Sequence, residues 1–289
     1  MINTSKIDLH IHTTVSDGTE TPEDIISRVK DAGIEIFSVT DHDAVKGCRS
    51  VIACRKDADP VFITGVEFSC RDDGGKYHIL GYGYDMDAPV INKLVDTGHS
   101  VRMSKVTARL DFLKERFGFR FEKADIQELL ARDNPGKPHL ANLMVKYGYA
   151  VSKEEAIRSF INQLKLGIFS FRPEDVIEGI LKSGGIPVLA HPTYGNGDQL
   201  ILGDEMEQRI KHLMKYGLQG LEAFYSGLTP KMTEELLGFA DSFDLFVTAG
   251  SDYHGTNKLI ALGDIGAEKL DRMPMRMESF LREVRKYST

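Results

Sequence analysis

Short apolar runs that end in a histidine or an acid recur along this 289-residue chain. The first is Ile7-Asp8-Leu9-His10-Ile11-His12, followed by Ser16-Asp17-Gly18. In an extended strand alternate side chains share a face, so His10 and His12 project together while Ile7, Leu9 and Ile11 line the other side. Two imidazoles so placed form a bidentate clamp that suits Zn²⁺, Fe²⁺ or Mn²⁺. The pattern returns in Ile36-Phe37-Ser38-Val39-Thr40-Asp41-His42, in Val61-Phe62-Ile63-Thr64-Gly65-Val66-Glu67 and in Tyr77-His78-Ile79-Leu80. It returns far down the chain in Leu189-Ala190-His191-Pro192 and in Gly250-Ser251-Asp252-Tyr253-His254. In α/β barrels and open α/β sheets, chemistry sits at the carboxyl ends of the strands. Strand ends carrying His, Asp or Glu therefore converge on one place.

The segments between these runs read as helices, which gives the parallel βα alternation of an α/β protein. Thr21-Pro22-Glu23-Asp24 opens the first helix, with Thr21 as cap, proline at the first helical position and acids facing the positive helix end. A second helix is expected from about Asp43 to Lys56. Arg71-Asp72-Asp73-Gly74-Gly75 is a polar turn, so the strands carrying Glu67 and His78 read as a hairpin that breaks strict alternation and distorts the barrel. After Asp87 the repeat stops. Residues 98–170 read as helices alone, with candidates at 100–116, 122–132, 138–147 and 152–164, and alternation resumes near Arg172. The expected organisation is a discontinuous barrel, 1–97 and 171–289, interrupted by an all-helical insertion at 98–170.

His10-Ile11-His12 with Asp17, Thr40-Asp41-His42, Glu67, His78, Leu189-Ala190-His191-Pro192 and Gly250-Ser251-Asp252-Tyr253-His254 resemble the ordered motifs of the polymerase-and-histidinol-phosphatase (PHP) family, and most of all its stand-alone metal-dependent phosphoesterases. The likeness spans residue 6 to about residue 270, apart from the insertion. It implies a distorted (β/α)7 TIM-like barrel holding two or three divalent ions. Carried over by position, His10, His12, Glu67 and Asp252 hold one ion and act in catalysis. Glu67 bridges to a second ion bound by His78 and His191, and Asp17, His42 and His254 hold a third. Some relatives have His where this chain has Asp17, and the harder oxygen ligand makes the third site less zinc-selective. Arg102 and Lys105 match basic positions at the start of the insertion in related phosphoesterases. Gly136-Lys137-Pro138-His139 starts an inserted helix, whose N–H groups and dipole favour anions, and a comparable basic-Pro-His segment approaches substrate in relatives. Lys137, His139 and Arg102 are therefore the expected substrate contacts. Some relatives have Arg after the His-Pro motif, where this chain has Thr193-Tyr194-Gly195-Asn196.

Clustered divalent ions lower the pKa of bound water to give hydroxide near neutral pH and neutralise the phosphate oxygens, so no protein nucleophile is required. The sequence carries no Gly-x-Ser-x-Gly elbow and no Walker A loop, in keeping with that chemistry. Asp41 either orients a ligand imidazole or is an ordinary strand-end carboxylate. His212 and His99 read as surface residues without a role. A net charge of −7 argues against a broad basic surface for long nucleic acid, leaving small phosphorylated substrates. The three cysteines form no Cys-x-x-Cys, no secretory signal precedes the first strand, and no run approaches the roughly 18 apolar residues of a membrane helix, so a cytoplasmic, membrane-free enzyme with buried or inert thiols is expected. The expected activity is hydrolysis of phosphate esters on nucleotides, either a nucleoside 3′,5′-bisphosphate or the end of a short RNA. Alternatives are a phosphatase of another small phosphomonoester such as L-histidinol phosphate and a non-catalytic metal-binding interaction module. An amidohydrolase acting on a C–N bond is a further one, although no strand-end lysine is present.

Overall fold

Each apolar run forms a strand in the computed structural model, which describes residues 6–166, 171–195, 199–266 and 273–285. The strands β1 (Ile7–Ile11), β2 (Ile36–Val39), β3 (Val61–Asp72), β4 (Gly75–Tyr82), β5 (Ile186–Leu189), β6 (Gly220–Tyr225) and β7 (Phe246–Gly250) form one sheet in sequential order. The sheet curls until its edges meet. The His12 amide donates to the Tyr253 carbonyl at 2.9 Å and the Tyr253 amide to the His10 carbonyl at 3.3 Å, joining the end of β1 to the residues after β7.

Every strand pair is parallel except those of β4, which is antiparallel to both β3 and β5. The reason is local. Strand β3 runs on past the others to Asp72, and its register with β4 leaves only Asp73 and Gly74 in the turn, so β4 enters the barrel from the carboxyl end. His78, early in β4, therefore lies level with residues late in the parallel strands, paired with Ser69 of β3.

The helices α1 (Pro22–Asp31), α2 (Lys46–Cys54), α7 (Pro173–Lys182), α8 (Gly203–Met214), α9 (Pro230–Ser242) and α10 (Met275–Val284) belong to the barrel. Helix α1 has the expected start: Thr21 Oγ1 accepts from the Asp24 amide at 3.1 Å, and Asp24 Oδ2 accepts from the Thr21 amide at 3.4 Å. Helix α2 is shorter than the expected Asp43–Lys56, because Asp43 has a left-handed backbone (φ 51°) that a helix cannot include. Strand cores are almost wholly apolar, with Ile7, Leu9, Ile36 and Val188 fully buried. Burying each such side chain stabilises the fold by about 1.5–3 kcal/mol.

The intervening helices are α3 (Pro89–Phe117), α4 (Lys123–Leu130), α5 (Lys137–Lys146) and α6 (Lys153–Glu155), the last running on as a π-helical turn, Ala156–Phe160, and a 3-10 turn, Ile161–Gln163. Among the described residues of 98–166 every regular element is helical. Helix α3 begins eleven residues before the expected 100, at Pro89. Its first half puts Ile91 and Leu94 into the barrel core, while Val106 and Leu113 of its second half join Leu129, Leu140, Met144 and Ile161 in a separate core. One helix with two partners shows no single apolar stripe, which is why its first turns escape periodicity. His99 accordingly lies within a helix, exposed, with Nδ1 2.6 Å from the Asp133 carbonyl. His212 is half-buried rather than on the surface, its Nε2 2.7 Å from Asp72 Oδ2. Of the thiols, Cys48 and Cys70 are buried and Cys54 is exposed. No helix among the described residues is long and apolar enough to cross a membrane.

Candidate metal centre and active site

All nine side chains singled out as ligand-type residues form one connected cluster at the carboxyl face of the barrel, and Glu67 stands at its middle. Its Oε2 faces His12 Nε2 at 3.1 Å, His42 Nδ1 at 3.0 Å and His10 Nε2 at 3.3 Å. Its Oε1 faces His78 Nδ1 at 2.7 Å and His191 Nε2 at 3.2 Å. One carboxylate thus presents its two oxygens to two different sets of imidazoles. On the other flank, Asp17 Oδ1 lies 3.2 Å from His254 Nε2, 3.7 Å from His12 Nδ1 and 3.9 Å from His42 Nε2. Asp252 Oδ1 lies 3.3 Å from His12 Nε2, 3.3 Å from His254 Nδ1 and 3.6 Å from His10 Nε2.

The donor set fits divalent cations. His10 Nε2, His12 Nε2, His42 Nδ1, Asp17 Oδ1 and Glu67 Oε2 are buried without a hydrogen-bond partner. Unpaired buried polar groups each cost about 1–3 kcal/mol, and five that converge on one volume are relieved together by a cation. Three compact groupings of ligand atoms occur: His12-Asp17-His42-His254, His10-His12-Glu67 and His42-Glu67-His78. His12 and His42 each reach more than one grouping.

Charge follows the same plan. Burial by itself raises the Glu67 carboxyl, but His42, His78 and His10 outweigh it and hold the group well below the usual carboxylate range. Burial likewise raises Asp17, and His254 and His42 pull it well below. Burial pushes the His42 imidazole well down, leaving the neutral form that binds metal. At His12 burial opposes protonation, yet Asp252 and Glu67 pull the group up to about 9. The carboxylates that favour a proton there favour a cation equally.

Residues behind the ligands fix their orientation. Glu222 of β6, fully buried, takes His10 Nδ1 at 2.9 Å on Oε1 and accepts from the His191 amide at 2.7 Å on Oε2. With Nδ1–H on that carboxylate, His10 turns the Nε2 lone pair to the centre. A Cβ at Gly250 would collide with the His10 Cβ and Glu222 Oε1, so only glycine lets β7 approach this pair. Asp8 accepts from the Ser251 amide at 3.0 Å and from Ser251 Oγ at 2.6 Å, holding the loop that carries Asp252. Asp252 and His191 have left-handed backbones (φ 58° and 29°), strain of the kind that functional sites store. Asp41 is more than an ordinary strand-end carboxylate, and it reaches a ligand imidazole through Ser16, whose Oγ lies 3.3 Å from His12 Nδ1. It accepts from the Thr13 amide at 2.8 Å, Thr13 Oγ1 at 2.7 Å and Ser16 Oγ at 2.7 Å, anchoring the loop between His12 and Asp17.

A cavity of about 200 Å³ opens onto Glu67, His78 and His191 and is closed by Tyr194, Tyr225 and Lys258. Lys258 Nζ donates to Asp252 Oδ2, and Tyr225 OH donates to the same oxygen at 3.2 Å. Glu222, Asp8, Lys258 and Tyr225 were not found from sequence. A carboxylate inside the apolar run Gly220-Leu221-Glu222-Ala223-Phe224 was the available signal for the first. Asn196 lies outside the described residues.

The expected substrate contacts divide. Arg102 Nε donates to Asp43 Oδ2 at 2.5 Å, and the guanidinium feels the Asp17 and Glu67 charges. His139 is buried; its Nδ1 accepts from the Gly136 amide at 3.0 Å, which leaves a proton on an unpartnered Nε2. Burial lowers it to about 4, so it is a neutral donor, within electrostatic reach of Asp17. Lys137 stands apart from the ligands, with Nζ donating to Asn162 Oδ1 at 2.6 Å.

The PHP domain family model matches residues 8–286. The chain belongs to the PHP domain family. This PHP domain is 28% identical over 269 residues to a 5′-3′ exoribonuclease of Haemophilus influenzae, covering 90% of this chain and 94% of that one. It is 28% identical over 259 residues to a 3′,5′-nucleoside bisphosphate phosphatase of Chromobacterium violaceum, covering 86% of this chain and 87% of the relative. A crystal structure from Bifidobacterium adolescentis, assigned as a metal-dependent phosphoesterase, superposes with a TM-score of 0.81 at 26% identity, covering 98% and 96% of the two chains. The fold of this PHP domain is therefore shared with a solved protein.

Proposed function

We propose that this PHP domain hydrolyses phosphate esters of nucleotides, acting on a nucleoside 3′,5′-bisphosphate or on the end of a short RNA, with two or three divalent ions. Glu67 carries the proposal: its two oxygens face separate sets of imidazoles, as a bridging carboxylate requires. His10, His12, Glu67 and Asp252 would hold one ion, Glu67, His78 and His191 a second, and Asp17, His42 and His254 a third, with His12 close enough to the last set to share it. Imidazole with carboxylate suits Mn²⁺, Fe²⁺ or Zn²⁺, and such ions lower the pKa of a bound water and neutralise phosphate charge.

The chain's own residues complete the site. Lys258 and Tyr225 hold the outer oxygen of Asp252 and so fix the direction of the inner one. Lys258 also lines the cavity and places positive charge beside the ester. His139 offers Nε2–H as a neutral donor, and Arg102, braced on Asp43, adds charge at the rim. Lys137, whose Nζ rests on Asn162 Oδ1, would read a second phosphate, and the helices of 98–170 would act as a cap over the barrel. We place the activity in the cytoplasm on the strength of the three free thiols.

Phosphate release from a panel of nucleoside 3′,5′-bisphosphates, 5′-phosphorylated dinucleotides, L-histidinol phosphate and a chromogenic monoester tests the reading. Nucleotides should exceed the other two by tenfold or more in kcat/KM. A preference for L-histidinol phosphate, or equal rates on all, overturns it.

A further inference from the structure

We infer that one face of α3, the outer part of β4 and Lys165 form a cationic track for the phosphates of an oligonucleotide that lie beyond the ester being cleaved. This deepens the nucleotide phosphoesterase reading and rests on it. Gly98, Arg102, Lys105 and Arg109 fall at helical spacings that share one face of α3. The lower end of that face is pinned to the active site: a Cβ at Gly98 would crowd the Asp43 side chain, and Arg102 donates to the same residue. At 1.5 Å rise per residue, Arg109 then stands about 10 Å farther out than Arg102. On β4, Lys76 shares a side with His78, so it stands about 7 Å beyond that ligand toward the hairpin tip.

The two lines meet at Lys137. Its ammonium interacts with Arg109, Lys76, Lys165 and Lys105, and burial together with those charges pushes it down to about 8. Among the described residues, Lys76, Arg109, Lys137 and Lys165 have no carboxylate within ion-pair distance. Several surface lysines elsewhere do pair, as in Lys6–Glu35, Lys30–Asp59, Lys46–Asp133, Lys146–Asp125 and Lys182–Glu178. In a chain with 43 acids and 36 lysines and arginines, Lys76, Arg109 and Lys165 gather around Lys137 rather than around carboxylates. Crowded like charges are unfavourable until an anion neutralises them, and a phosphodiester chain supplies anions in series.

The test uses the metal-loaded full chain and 5′-phosphorylated oligonucleotides of one to four residues. kcat/KM should rise at least tenfold from one residue to three and then level off, with salt sensitivity steepening as length grows. Lys76→Gln with Arg109→Gln should bring the trinucleotide-to-mononucleotide ratio toward one. It should also weaken binding of a fluorescein-labelled phosphorothioate tetranucleotide at least tenfold by anisotropy. The single variants, read the same way, guard against a folding defect in the pair. A flat length profile in a protein that cleaves mononucleotides overturns the track alone, as does an unchanged ratio and affinity in the variants. Inorganic polyphosphate competing as well as the oligonucleotide would reassign the track to polyphosphate and overturn it. Track-dependent tetranucleotide binding without cleavage of any ester would leave the track standing and refute the activity.

Discussion

Glu222→Gln is the most informative single substitution, because it alters no atom of the proposed ligand set. Glu222 is fully buried and satisfies His10 Nδ1 at 2.9 Å and the His191 amide at 2.7 Å. Glutamine keeps one acceptor oxygen, so its NH₂ faces either the His191 amide, a donor against a donor, or His10 Nδ1, where it favours the tautomer that carries its proton on Nε2. Losing a hydrogen bond to a charged group costs about 1.5–3 kcal/mol. Removing the partner that orients a ligating histidine lowers metal affinity or activity about ten- to a hundredfold, which is about 1.4–2.8 kcal/mol. The two routes agree. Titrating metal-depleted protein with Mn²⁺ or Zn²⁺ against a chromogenic chelator should show that loss, with circular dichroism matching wild type. A folded Glu222→Gln protein with wild-type metal affinity would refute the orienting role.

Glu67→Gln should disturb two bound ions at once, whereas Asp17→Ala should mainly remove the third; equal losses of metal in the two variants, measured by mass spectrometry, would break the site assignment. Lys137→Ala with His139→Ala should lower kcat/KM about ten- to a hundredfold on a nucleoside 3′,5′-bisphosphate and much less on a chromogenic monoester, and an equal fall on both would remove the second-phosphate role. Lys137, pushed down to about 8 by burial and neighbouring cations, is charged below that pH and neutral above it. The bisphosphate kcat/KM should therefore decline as pH rises through about 8, and Lys137→Arg, which stays charged, should move the decline upward. An unmoved alkaline limb would assign it to another group.

Six of the seven strands were legible because each is a short, largely buried run carrying a ligand-type residue in it or just beyond it, and His10-Ile11-His12 declares its shared face through the period of two; β6, which carries none of the proposed ligands, was not singled out. The reversed strand was legible in Asp72-Asp73-Gly74-Gly75, whose residues make a tight turn. Glu222 was missed because it lies mid-strand, and its partners His10 and His191 are 212 and 31 residues away in sequence. Lys258 was missed because it lies past β7, next to a short 3-10 turn, and meets Asp252 only through the path of that loop. The start of α3 was hidden by its change of partner, and the left-handed Asp43 by a position that sequence alone reads as a helix start. What depends on period and local turn chemistry was readable; what depends on long-range pairing was not.

Phosphate release by chelator-treated protein, with and without added metal, tests the central claim most directly. Metal-free protein should be inactive on a nucleoside 3′,5′-bisphosphate, and Mn²⁺, Fe²⁺ or Zn²⁺ should restore turnover as two or more ions bind per chain. Undiminished turnover by protein shown metal-free by mass spectrometry would contradict the account.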